Sequence, residues 1–312
     1  MTLLLVTIAF LGVSSPAPVS PTPLKCPSVK IDRDFLWWRL GPSVAKAGPP
    51  PGGTARTFLS YKDNWLRDCP RNETVWYAVL RAGELTSPDG KAPADLIEAA
   101  RTAVPGSVWI ETVRARALGT VEAAEAAIRL APKHIPAQVA LATAREREAD
   151  HESAFRILRP IRDLHRVVGG PLLLARVALA MGDAKLAAES ALREPDREGG
   201  IIEPVSSRLL VGEARLLEGD ARLQLGQADK ALSAYLVADF WRSAAAAERL
   251  RSPTAELKRA MEARLKKSGI VDDQRERLLE YLHAHRLGAG EIGKHPNPSA
   301  PQAKDSPLPR NW

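Results

Sequence analysis

From residue 72 to residue 287 the apolar positions recur at intervals of three and four, which is the signature of helices with one buried face. Short runs of turn residues interrupt the pattern at similar distances. The spacing predicts helices over 73–85, 94–104, 107–118, 121–130, 135–149, 152–164, 172–181, 184–193, 207–225 and 228–250. Two more, over 254–267 and 272–286, would close the series. A sheet protein would need more Val, Ile, Thr and aromatics than are present, so the fold class expected is all-α. Helices this short, met in regular pairs, cannot bury an apolar face alone, and each pair must stack on the next in the manner of a solenoid.

The period is testable. A window opening at His134 and another at Val168, 34 residues later, each carry an apolar first helix. Each then has a turn (Ala149-Asp150 or Gly182-Asp183) and a small residue early in the second helix, Ser153 or Ala187. A third window fits from Gly212, 44 residues after Val168, if 194–204 is an insertion; Pro195, Gly199, Gly200 and Pro204 are loop residues. The run Leu225-Gly226-Gln227-Ala228-Asp229-Lys230-Ala231-Leu232-Ser233-Ala234-Tyr235 resembles the turn and second helix of a tetratricopeptide repeat, with Gly219 at the small position of the first helix. Ala127 to Pro132 is similar to the end of another repeat. The likeness spans 72–250 and is best over 134–193 and 212–240. Pro160 and Glu194 depart from it, and the 107–132 hairpin is short; HEAT-type and other helical repeats stay open. The resemblance implies a TPR-like α-solenoid of antiparallel helix pairs, whose first helices line a groove for an extended peptide or a partner helix. The groove side chains it implies are Gln138, Arg145, Arg176, Asp220 and Gln224.

The flanks read differently. Leu3 to Val13 is an apolar run too short to span a bilayer but suited to a signal peptide, cut after residue 14 or as late as 20. A Pro-rich linker follows to residue 25, then an irregular arm over 26–71 with Trp37, Trp38 and Trp65. Cys26 and Cys69 are the only cysteines, and an even count after an export signal points to a disulfide tying that arm down. Capping helices over 251–287 and a Pro-rich, disordered tail over 288–312 complete the organisation.

Composition narrows the chemistry. Ala and Arg richness favours helices and is what a GC-rich bacterial genome encodes, while aromatics reach only 5%. The net charge of +7 arises from 44 basic and 37 acidic residues, intermixed as in Arg145-Glu146-Arg147-Glu148, which reads as a solvated helix face and not as a nucleic-acid stripe. His283 and His285 point to different helix faces, the other histidines are isolated, and neither a phosphate loop nor a Gly-x-Ser-x-Gly elbow is present. No catalytic residue, metal or cofactor is therefore expected. The run from Leu209 to Leu250 also looks like the helical superhelix of periplasmic lytic transglycosylases. Glu152-Ser153 imitates that family's catalytic dipeptide, but Arg156 to Pro160 continues a repeat helix where the family has Gly-Leu-Met-Gln. The expectation is a non-catalytic protein–protein interaction scaffold of the periplasm or cell envelope, binding a protein or peptide partner and no nucleic acid. The alternative is an accessory scaffold of peptidoglycan metabolism, with Trp37, Trp38 and Trp65 as a sugar-stacking platform.

Overall fold

Side-chain caps set where seven of the described helices begin. The computed structural model describes Cys26 and residues 59–60, 62–167, 169–193, 204–241, 243–267, 270 and 272–287. Among them lie fourteen α-helices, one 3-10 turn and no strand. The signal run, the linker, Trp37, Trp38, most of the 194–204 insertion and the Pro-rich tail lie outside the described residues.

The elements are α1 (Lys62–Asp68), α2 (Glu73–Thr86), α3 (Ala94–Ala103), α4 (Val108–Leu118), α5 (Val121–Leu130), α6 (Ile135–Arg147) and α7 (His151–Leu158). A 3-10 turn at Leu164–Arg166 leads to α8 (Gly170–Ala180), α9 (Ala184–Ala191), α10 (Pro204–Gln224), α11 (Ala228–Phe240), α12 (Ala244–Arg251), α13 (Ala255–Leu265) and α14 (Asp272–Leu287). The side chains of Asn72, Ser107, Thr120, Asp150, Asp183, Ser243 and Thr254 each accept a backbone N–H from the first turn of the helix they precede. Pro136 and Pro171 stand in the first turns of α6 and α8, where a missing N–H costs nothing.

Four connections share one local geometry. Gly119, Ala149, Gly182 and Gly226 each adopt a positive φ, between 60° and 81°, and the next residue is the N-cap of the following helix. These turns join α4 to α5, α6 to α7, α8 to α9 and α10 to α11. Only Ala149 carries a Cβ into the left-handed region, which costs about 1–2 kcal/mol.

The contacts between helices follow the chain. Each of α4 to α11 packs on the helix before and the helix after it, and α2, α4, α6, α8 and α10 also touch in succession. The core is accordingly serial. One cluster joins α1 to α4, another of Ala115, Ala123, Ala124 and Ala140 joins α4 to α6, and a third runs from Val139 to Val177. Two smaller clusters join α8, α9 and α10, and a last one, from Ala231 to Leu282, gathers α11 to α14.

Three departures from the sequence expectation have physical causes. The helix expected over 152–164 ends at Leu158, because the Pro160 ring cannot continue it. The helix expected over 228–250 is two, since Ser243 caps a new start by accepting the Ala246 N–H at 3.3 Å. The arm over 26–71 is not irregular throughout: α1 lies in it, and Trp65 is 1% exposed within the α1–α4 core. Cys26 and Cys69 are joined in a disulfide with their Cα atoms 5.6 Å apart. Closing that loop stabilises the region by about 4 kcal/mol in the chain-entropy account.

Candidate interaction surface

The leading helices of the four similar turns, with α2, bring a row of charged side chains together. Glu84 of α2 is buried and receives Arg116 of α4 in a forked pair, at 3.0 Å and 3.3 Å, with Arg81 on its other side. A carboxylate removed from water needs such company, because an unpaired buried charge costs several kcal/mol. Arg147 of α6 lies over Gly119 at the end of α4, in the space a Cβ there would need. Arg176 of α8 faces Glu146 of α6 at 3.1 Å and donates to Glu213 of α10 at 2.7 Å. Asp220 of α10 accepts from Tyr235 Oη at 2.7 Å and from Arg249 Nε of α12 at 3.1 Å.

The Asp220 node shows how sequence positions a polar group. Gly219 leaves room for the Tyr235 ring, which would overlap any side chain there. Tyr235 is thereby fully buried, and burial raises the pKa of its hydroxyl, with the neighbouring Asp220 carboxylate acting in the same direction. The phenol keeps its proton and donates it. Arg249 is held charged by the same carboxylate.

The five side chains expected to line the groove divide accordingly. Arg176 and Asp220 tie helices together. Arg145 sits at 3.7 Å from Glu125 of α5 and near Glu148 and Asp150, so it faces the preceding trailing helix and its own turn. Gln138 donates to the Pro132 carbonyl at 2.9 Å, and Gln224 is exposed at the end of α10. Among the described residues, no hydrogen bond or ion pair joins any two of the five.

Trp65 is in the core and cannot serve as a surface platform for sugars. Glu152 is exposed in the first turn of α7, and Ser153 is engaged in the α7 cap, its N–H on Asp150 and its Oγ accepting from Arg156. His134 packs edge-on against Trp109, which in turn rests on Tyr77. No cluster of three metal-ligating side chains and no helix long and apolar enough to cross a membrane occurs among the described residues.

Sequence reasoning missed one concavity. Arg159, Arg162, Lys185 and Arg193 surround a crevice of about 360 Å³ between the connection after α7 and helices α8 and α9. The signal was available in the arginines at 156, 159 and 162, spaced by three and then broken out of a helix by Pro160. None of the protein-family models compared with the chain matches it, and no curated protein matches it either.

Proposed function

We propose that this chain is a non-catalytic protein–protein interaction scaffold, built as a TPR-like α-solenoid of antiparallel helix pairs and working in the bacterial cell envelope. The observation that carries the reading is the row of successive contacts α2–α4–α6–α8–α10, which gives one helix of each unit a continuous shared side. The four left-handed turns at equivalent points support it, as does a core divided into clusters between neighbours. Export rests on the N-terminal apolar run and on the Cys26–Cys69 bond, which persists in an oxidising compartment. A peptide or helix laid along the leading helices would meet Gln138 and Gln224 and would have to draw Arg145 away from Glu125 and Glu148, with Arg176 and Asp220 as the struts behind them.

Affinity capture from envelope extracts tests the reading, using the exported chain as bait and its Arg145→Gln/Gln224→Ala form as control. Neutral substitutions at these two positions leave the Arg176 and Asp220 links in place. Enrichment of one protein by the native bait, reduced at least about tenfold by the control at an unchanged melting temperature, is the expected result. Equal capture by both baits would remove these residues from the groove. The accessory role in peptidoglycan metabolism loses Trp65 as a stacking surface, and retention on purified peptidoglycan in the absence of any protein partner would be needed to restore it.

A further inference from the structure

Arg116, Arg145 and Arg176 of the helix row, with Arg249 of α12, are occupied by carboxylates of this chain. The cations around the crevice after α7 are not. Among the described residues no ion pair engages Arg162, Lys185 or Arg193, and Arg159 lies over the Phe155 ring at 5.5 Å. Two carboxylates share the lining. Asp183 is committed to the Leu186 N–H at 3.0 Å as the cap of α9, and Glu189 is exposed. Four cations therefore face two carboxylates, with His165 beside them.

The floor is apolar. Leu164, Pro171, Leu174 and Leu186 line it, and Leu164 and Leu174 belong to the core between α6 and α8. Gly170 fixes its shape, because a Cβ at that position would collide with the Leu164 carbonyl 2.8 Å away. A space of about 360 Å³ lies at the small end of the range for ligand sites and admits a short apolar body. Guanidinium groups bind carboxylate and phosphate oxygens through parallel N–H donors, so the charge selects an oxyanion.

We infer that the crevice formed by Arg159, Arg162, Lys185 and Arg193 over Leu164, Leu174 and Leu186 binds a small anionic amphiphile, its alkyl part on the leucines and its oxyanion between the arginines. The site borrows Pro171 and Leu174 from α8, but neither Arg176 nor Asp220 lines it. A ligand there would lock the connection after α7 onto α9 without touching Arg176 or Asp220.

Titration calorimetry on the oxidised full-length protein tests this with octyl phosphate and octanoate as probes and with octanol and octyltrimethylammonium as controls. The expected result is one-to-one binding of an anionic probe, at least about tenfold tighter than either control and weakened at least tenfold by Arg162→Gln/Arg193→Gln. Preference for octyl phosphate identifies a phosphoester, and preference for octanoate identifies a carboxylate. Should the double variant melt below the native protein, a salt series on the native protein replaces it, and affinity for the anionic probe must then fall as salt rises. Equal binding of octanol or of the ammonium probe, affinity indifferent to both the variant and salt, or no binding of either anion overturns the proposal.

Discussion

The region from α1 to α4 and the region from α5 to α9 reach the same helical packing by opposite means. The first fills its interior with bulk: Trp65, Trp76, Tyr77, Leu80 and Ile110 are buried there, and Trp109 closes over Tyr77 with ring centres 4.8 Å apart. The second is largely alanine, with Ala123, Ala124, Ala127, Ala137, Ala142, Ala144, Ala154, Ala187 and Ala188 all buried. A large side chain contributes through area removed from water, about 25 cal/mol per Å². An alanine contributes little area and instead lets backbones approach, so dispersion between helices replaces the filled volume. The two regions should therefore fail in opposite directions, the first when atoms are removed and the second when they are added.

Point substitutions in each region test that contrast. Trp65→Ala should destabilise the α1–α4 region by about 3–5 kcal/mol, read as a lower midpoint in denaturant unfolding. A loss below about 1 kcal/mol would mean that the bulk is not what holds this region. Replacing Cys26 and Cys69 together by Ser should cost about 2–4 kcal/mol, confined to protection of the α1–α2 amides in hydrogen exchange. In the alanine region, Ala124→Leu should cost about 1–3 kcal/mol through overpacking. If the leucine is accepted without loss, α5 is not closely packed and the contrast fails.

Smaller effects refine it. Ala149→Gly should stabilise by up to about 1 kcal/mol, since it relieves the one described left-handed turn residue with a Cβ and offsets some of that gain with unfolded-state entropy. Asp150 gives the smallest. Its carboxyl is held below the usual value first by its hydrogen bonds with Ser153 and then by nearby Arg145. A lowered folded pKa means that the stabilisation is complete above the unfolded value of about 3.9 and is lost as pH falls through the folded one. Amide exchange at Ser153, corrected for intrinsic rate, should then accelerate in acid in the native chain. The neutral cap of Asp150→Asn should show no such acid step.

Much of the helical order was readable because it is local. The turns at Ala149-Asp150 and Gly182-Asp183 were marked by a small or glycine residue followed by a capping carboxylate, and the structure places left-handed residues and caps there. Helix α1 was not readable: seven residues around Trp65, charged or polar on nearly every other side, give no period, and its stability comes from the core it enters. The break between α11 and α12 was hidden because Phe240 and Trp241 prolong the apolar pattern past the end of the helix. The roles of Arg176 and Asp220 were beyond reach for a different reason. Their partners lie 37 and 29 residues away, at Glu213 and Arg249, and helical periodicity carries no information at that range.

Arg176 couples three helices through charge alone. It is about one-third exposed, as is Glu213, so added salt weakens both of its links, whereas the methyl contacts beneath are indifferent to salt. Where one helix packs on those before and after it, as α4 to α11 do, cooperativity depends on the coupling between helices as well as on the stability of each. Raised ionic strength should therefore loosen the link of α6, α8 and α10 only by the roughly 0–1 kcal/mol that a partly exposed ion pair supplies, while the apolar clusters between α8, α9 and α10 hold.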